Sequence, residues 1–397
     1  MGWLGIDDTD SLNGGCTTEV FHHLVENLPP KTTIGQACLV RLWPFADRRT
    51  RGNAALAIEL LPSNESHLLD HLDQWWHNHI APLEGDVSPS DMSSREQHPA
   101  SPGMVWFREK PPVSVYWAAV RGHVSIEDVV PATRSWGQHG RIGASAAAAW
   151  PGEVSTWEAI AWRLPLAEGQ RRIDREALME LDSWPQLVFS RDPRRGKQLI
   201  APRGNSPVLF GLRSRTAEEA KRGCQLLLEA SGTEAAYGWR LFKTNQASGD
   251  HLTDTYALTV KSAEVHVDRK HVRLETDKMP VVMFAEGGPV NALGRWVTQG
   301  DQIEVRGLLH PDGSLHAEQA RVLAAVVRRQ VRPSCPHCGS RMKSMGANQG
   351  VRCPSCKHRL DDVWEDVPVD CPFVEWVEPH VDARRHLSRP LEWSSNP

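Results

Sequence analysis

Three carboxylates fall within four residues near the N-terminus, Asp7, Asp8 and Asp10, directly after the short apolar run Trp3-Leu4-Gly5-Ile6. Acids this close repel one another unless a cation lies between them, and magnesium suits the position because it prefers oxygen ligands and bridges to substrate phosphates. The loop SLNGGCTT follows, which sets Thr17 and Thr18 at the start of a helix, where backbone N–H groups and the dipole favour a phosphate. The same string also fits an acidic turn with a plain capping threonine, and the residues alone leave both open. A second group, Arg48, Arg49 and Arg51 beside Gly52 and Asn53, precedes the strand-like run AALAIEL and reads either as a phosphate clamp or as surface charge. No GxxxxGK[ST] loop and no kinase HRD or DFG string occurs, so an ATP site here would be of an uncommon type.

Four of the eight cysteines form two knuckles, Cys335-x-x-Cys338 and Cys353-x-x-Cys356, separated by 14 residues. Each knuckle supplies two thiolates from one tight turn, and the pair completes a closed tetrahedral zinc site. Such a site leaves no open position for catalysis, so its role is to shape a small module. A disulfide pair is disfavoured in a cytoplasmic chain, and a redox motif is disfavoured by the doubling. Cys16, Cys38, Cys224 and Cys371 are scattered and read as buried free thiols.

The elements that must position these residues are legible in outline. After the first strand comes a helix with an apolar face of Val20, Phe21, Leu24, Val25 and Leu28, ended by Pro29 and Pro30. Residues 131–254 alternate strand-like runs (STWEAIAWRLP, PVLFGLRS, AAYGWRLF) with helical ones, suggesting a ferredoxin-like α+β unit; Thr216 and Glu219 form a capping box and Gly232 is placed to end that helix. The run Gly137-x-x-Gly140-x-x-Gly143 resembles a dinucleotide fingerprint, but its spacing is wrong and no strand leads into it. From 255 to about 325 short strands suit an OB-fold barrel, or another small β-barrel or sandwich, with a turn at Glu286-Gly287-Gly288-Pro289 and Trp296 in a loop.

With 397 residues, 45 Lys+Arg against 49 Asp+Glu and 40% hydrophobic content, the chain reads as a multidomain soluble protein. No apolar run approaches a spanning helix and the acidic N-terminus is no signal peptide, so a cytoplasmic location without membrane contact is expected. The net charge of −4 argues against a uniformly basic nucleic-acid binder but conceals local patches. Arg328, Arg329, Arg332, Arg341, Lys343, Arg352, Lys357 and Arg359 give +8 over 326–360 with no acid, and eight acids over 361–382 cancel them. That asymmetry suggests a polyanion site without establishing one.

Taken together the strings GIDDTDS, CTT, RTRGNAA, GRIGASAA, PVLFGLR, TNQ with the later His251, the doubled CxxC and the tail ARRHLSRPL resemble, in order and from Gly5 to Pro390, the archaeal tRNA-isoleucine 2-agmatinylcytidine synthetases, the TiaS family. The resemblance implies a ligase that uses ATP to activate the wobble cytidine of an isoleucine tRNA with a CAU anticodon, attaches agmatine at base carbon 2 and releases AMP and phosphate. It implies ATP, Mg2+ and Zn2+ as cofactors, and no obligate protein partner. It also implies a multidomain α+β architecture: an ATP-binding, kinase-like α/β domain (1–130), a ferredoxin-like domain (131–254), an OB-fold (255–328), a zinc ribbon (329–362) and a tail (363–397).

By the same resemblance Asp7, Asp8 and Asp10 match catalytic carboxylates, the first two holding magnesium, and Thr17 matches an autophosphorylated threonine, with Thr18 the less favoured partner. Arg51, Gly52, Asn53, Gly211 and Arg213 match the nucleotide and phosphate site. Ser101 and Gly103, in a Ser-Pro-Gly stretch where relatives carry Asn first, and Asp250 with His251 are candidates to hold agmatine; Gly249 stands where relatives often carry an acid. Trp296, Arg328, Arg329, Arg332, Lys343, Arg352, Lys357, Arg384 and Arg385 are candidates to hold tRNA. Of the sixteen Trp residues most are expected in the core. A non-catalytic RNA-binding protein would leave the DDTD and CTT strings unexplained, and a different ATP-dependent RNA ligase or kinase would leave the C-terminal modules unexplained.

Overall fold

The computed structural model describes residues 1–10, 15–46, 48, 53–85, 98–188, 191–192, 194, 197–202, 206–347, 349–367 and 370–393. The elements, in chain order, are β1 Gly2–Asp7, α1 Thr17–Glu26, β2 Thr33–Arg41, β3 Ala54–Leu61, α2 Glu65–Trp75, β4 Gly103–Phe107, α3 Val113–Arg121, β5 Arg134–Gly137, α4 Gly140–Ala149, β6 Thr156–Arg163, α5 Arg175–Leu181, β7 Leu187–Val188, the hairpin β8 Arg191–Asp192 and β9 Lys197–Gln198, β10 Val208–Ser214, α6 Ala217–Glu229 and β11 Ala236–Thr244. A second series follows: β12 Tyr256–Val265, β13 Val272–Thr276, β14 Val281–Met283, α7 Pro289–Trp296, β15 Gln302–Leu309, β16 Leu315–Ala324, β17 Arg329–Val331, β18 Lys343–Ser344, β19 Val351–Arg352, β20 Arg359–Leu360 and β21 Glu365–Val367. These build two compact units, Met1–Thr253 with His380–Pro397, and Asp254–Pro379.

The first unit is organised on one nine-stranded sheet in the order β5-β4-β1-β3-β2-β11-β6-β10-β7. In the strands nearest the N-terminus, period-2 alternation sorts side chains by size onto two faces. Leu4, Ile6, Leu56, Ile58 and Leu60 pack with Phe21, Leu24 and Leu68 on the face covered by α1 and α2. Ala55 and Ala57 face Ala144 and Ala148 of α4 on the other. Small residues there let α4 lie close: a Cβ on Gly5 would come within 2.2 Å of the Ala144 carbonyl oxygen.

The remaining strands run β11-β6-β10-β7, with α5 between β6 and β7 and α6 between β10 and β11. Thr216 caps α6 as its capping-box pattern expects, its Oγ1 accepting from the Glu219 N–H at 3.3 Å. Gly232 does not end that helix; Ala230 already turns extended, and the Gly232 N–H donates to Asp174. A strand does lead into the glycine run, contrary to the sequence reading: β5 pairs with β4 at the sheet edge and ends at Gly137, whose φ is +74°. The chain end returns to this unit, where the Ala247 and Gly249 N–H groups donate to the carbonyls of His386 and Leu387 at 2.8 Å.

The second unit holds a closed barrel in the order β12-β13-β14-β16-β15, with Leu258, Val260, Val272, Leu274, Ile303 and Val305 in its core. The Gly-Gly-Pro string is not only a turn, because Pro289 sits in the first turn of α7, a position that tolerates its missing N–H. Val290 and Leu293 of that helix are buried against the barrel, and Trp296 is its last residue rather than part of a loop. Beyond the barrel β18, β19 and β20 form a small three-stranded sheet around the cysteine knuckles. Among the described residues no helix is long and apolar enough to cross a membrane.

Candidate active site

A cavity of about 790 Å³ opens in the first unit, and Asp7, Asp8, Asp10, Thr17 and Thr18 line it together with Asn53, Gly211 and Arg213. Residues from the N-terminal strand, the loop after β2 and the strand β10 are thus brought to one space. Arg51 and Gly52 lie outside the described residues.

The three carboxylates diverge. Asp7 ends β1; its Oδ1 accepts from the Asp8 N–H at 2.7 Å, and its Oδ2 points at Gly143, where an added Cβ would stand 1.8 Å away. Gly143 is therefore the place at which the helix gives room to the acid. Asp8 has a left-handed backbone, φ +58°, which turns its carboxylate to the Ser101 N–H at 3.0 Å. Asp10 accepts the Thr17 hydroxyl at 3.3 Å, while the Thr9 N–H approaches Thr17 Oγ1 at 3.4 Å. Burial, with the neighbouring acids, pushes Asp7 up to about 7 and Asp8 up to about 8. Two carboxyls in that range stay part-protonated at neutral pH unless a cation neutralises them.

Thr18 makes different contacts. Its Oγ1 accepts from Trp162 Nε1 at 3.2 Å and lies 2.9 Å from the Cys16 thiol, so it is held by the core. Cys16 has its pKa raised by burial and by Asp10, which keeps it a thiol.

The lining also carries Arg41, Glu158 and His386, which the sequence reading did not select, beside Arg213, which it did. Arg41 and Arg213 each approach the buried Glu158 at 3.9 Å. Gln246 Nε2 donates to Glu158 Oε2, and Gln246 Oε1 lies 3.0 Å from His386 Nδ1. Asn245 locks β2 in place, accepting from the Arg41 N–H at 2.7 Å and donating to the Arg41 carbonyl at 2.9 Å. The signals are present in the sequence: an acid inside the apolar run WEAIAW, and the strings TNQ and ARRHLSRPL, which stand out as strings without singling out Gln246 and His386.

The agmatine candidates fall elsewhere. Ser101 and Gly103 stand behind the carboxylates, Ser101 holding Asp8 and Gly103 pairing with Asp7; a Cβ on Gly103 would meet the Arg141 nitrogen at 2.0 Å. Asp250 accepts the Tyr116 hydroxyl at 2.6 Å, and neither it nor the buried His251 lines the cavity. Asn53, at φ +43°, donates from its side chain to the Trp43 carbonyl.

In the second unit the sulfurs of Cys335, Cys338, Cys353 and Cys356 all lie within 4.8 Å of one another, a donor set and spacing that fit a tetrahedral zinc ion. Register sets Lys343, Arg352 and Arg359 side by side across β18, β19 and β20, all exposed. Arg329 and Lys357 are exposed as well. Arg328 instead pairs with Asp301 and covers the Trp296 ring at 3.8 Å, and Arg332 pairs with Asp362 and covers Trp364 at 3.7 Å. In the first unit the half-buried Arg384 lies beside Arg385, which stacks over Phe45 at 5.0 Å.

Comparison with known proteins gives three family matches: the TiaS TCKD domain at residues 3–66, the TiaS FLD domain at 138–251 and the TiaS C-terminal zinc ribbon domain at 332–366. A tRNA-isoleucine 2-agmatinylcytidine synthetase TiaS from Pyrobaculum neutrophilum is 30% identical over 98% of this chain and 93% of its own length. The chain belongs to the TiaS family. The TiaS of Pyrococcus horikoshii is 29% identical over 98% of this chain and 96% of its own. Solved TiaS structures superpose over 98% of this chain and 97% of their own at 25% identity, with a TM-score of 0.78 for the apo form and 0.77 for a complex of TiaS with its isoleucine tRNA and ATP. The multidomain α/β architecture and the cysteine cluster are thus those of TiaS proteins.

Proposed function

We infer that this chain is an ATP-dependent tRNA-isoleucine 2-agmatinylcytidine synthetase, which joins agmatine to C2 of the wobble cytidine. The observation that carries this is the cavity lined by Asp7, Asp8, Asp10 and Thr17 together with Arg41, Glu158 and Arg213. A carbonyl oxygen at C2 is a poor leaving group until it is phosphorylated, and phosphoryl transfer is mainly positioning with charge stabilisation. That chemistry asks for cationic donors on one side and acids on the other.

Within this reading the Thr17 hydroxyl is the acceptor of a phosphoryl group and Asp10, already hydrogen-bonded to it, receives its proton. Asp7 and Asp8 would hold a magnesium ion, which when bound neutralises phosphate charge; their raised affinity for protons supports a cation there. Arg41 and Arg213, each 3.9 Å from the Glu158 carboxylate, stabilise the negative charge that gathers around O2 as it is phosphorylated. The order β11-β6-β10-β7 with its two helices supports the ferredoxin-like label, and the closed barrel with α7 supports an OB-fold. The kinase-like label for the N-terminal part rests on the carboxylate–threonine corner, and Zn2+ rests on the four thiolates. The exposed row Lys343, Arg352 and Arg359 is the tRNA contact we favour in the ribbon, and a cytoplasmic location follows from a tRNA substrate.

The test is incorporation of labelled agmatine into an isoleucine tRNA transcript with a CAU anticodon, with ATP and magnesium. Product dependent on all three is expected. Tight tRNA binding with no incorporation would leave only an RNA-binding protein.

A further inference from the structure

His386 reaches the cavity from the C-terminal segment and is part of its lining. Among the described residues both hydrogen-bond contacts of its ring involve Nδ1, to Gln246 Oε1 at 3.0 Å and Arg213 Nη1 at 3.4 Å. The Gln246 amide is oriented by its bond to Glu158, so its oxygen faces the imidazole. Nδ1 must then carry the hydrogen, and the longer Arg213 approach is a neighbouring cation. The remaining nitrogen, Nε2, is an unprotonated acceptor. The charge of Arg41, then burial, then Arg213 hold the imidazole well below its ordinary pKa, which keeps it neutral.

Arg41 and Arg213 line the same cavity, and an acceptor lone pair there is poorly matched to phosphate, whose oxygens would meet it. It is well matched to the Watson–Crick edge of cytosine, which presents one donor, the 4-amino group, and two acceptors, N3 and O2. Uracil presents an oxygen at position 4 and an N–H at position 3, and so opposes the same wall twice. We propose that His386 Nε2, with the guanidinium groups of Arg41 and Arg213, reads the Watson–Crick edge of the wobble cytosine and rejects uracil. An enzyme that modifies a base must take it out of the stack and read this edge in a pocket. The two guanidiniums then face O2, the oxygen at which the phosphoryl group arrives. Gln246 and Glu158 act through His386 and the arginines as positioning residues.

This rests on the cavity being where the cytidine is modified, and one experiment separates the two ideas. CAU-anticodon isoleucine tRNA is prepared with its wobble cytidine or with the analogue lacking the 4-amino group, and binding is measured with a non-hydrolysable ATP analogue. Removing the amino group should weaken binding by wild-type protein roughly 10- to 100-fold, as for loss of a good base contact. In His386→Ala the same removal should cost less than about threefold, as expected when the partner is already gone. His386→Phe, which keeps the ring volume, serves the same test should His386→Ala not fold. An equal cost of amino removal in wild type and variant, or a negligible cost in wild type, would overturn the proposal. A wild-type protein that incorporates no agmatine into the unmodified transcript would overturn the functional reading itself.

Discussion

The Thr17 hydroxyl donates to Asp10 across 3.3 Å, whereas the hydroxyl of its neighbour Thr18 points to Trp162 and Cys16. Adjacent threonines at a helix start lie about 100° apart around the axis, so only one can face the acid. Thr17→Ala should lower agmatine incorporation by about 10²-fold or more, the scale of a lost proton-transfer partner. Thr17→Ser should retain most of it. Thr18→Ala should act mainly on thermal stability; the reverse ranking in incorporation assays would reassign the phosphorylated residue.

Asp7 and Asp8 hold protons up to about pH 7 and 8, while the unfolded chain releases them near the ordinary carboxyl value of 3.8. Between those limits the folded state binds more protons, so stability falls as pH rises from about 4 to 8. The metal-free protein should therefore show a declining Tm across that window. Asp8→Asn should flatten the decline, and magnesium with a nucleotide should offset it above pH 7. A Tm that rises steadily through the window would contradict the assignment.

Lys343, Arg352 and Arg359 stand in register on adjacent strands, where like charges repel unless an anion lies over them. Replacing all three by Gln should weaken tRNA binding and reduce the slope of log affinity against log salt by about 2 to 3. Arg332→Gln should change that slope little, since Asp362 already pairs with it, and should loosen the ribbon instead. Cys353→Ser should release zinc and give the same loss of tRNA affinity while ATP turnover without tRNA persists; full loss of turnover would tie the ribbon to the cavity.

Truncation after Pro379 removes His386, the backbone bonds to Ala247 and Gly249, and the buried Leu387. Such a chain should still bind zinc and still form the barrel, as read by metal content and circular dichroism. Agmatine incorporation should be abolished. Undiminished incorporation would show that the segment has no part in the site.

The sequence by itself determined what depends on short-range spacing. DDTD before CTT, the doubled CxxC and the Thr216 capping box act over a few residues, and the structure keeps them together for that reason. The sheet decided the rest. β11 lies beside β2 and β6, so the TNQ string at its end meets Arg41 and Glu158, and the returning chain end adds His386. No local pattern marks Arg41, Glu158, Gln246 and His386 as neighbours. Asp250, four residues past Gln246, turns away to Tyr116, because nearness in sequence does not fix which side of a loop a side chain takes. Charge followed the same rule: the basic run is continuous in sequence, but Asp301 and Asp362 neutralise Arg328 and Arg332. Only folding separates the cations engaged by the protein's own acids from those left to face a polyanion, because electrostatic compensation is set by distance in space.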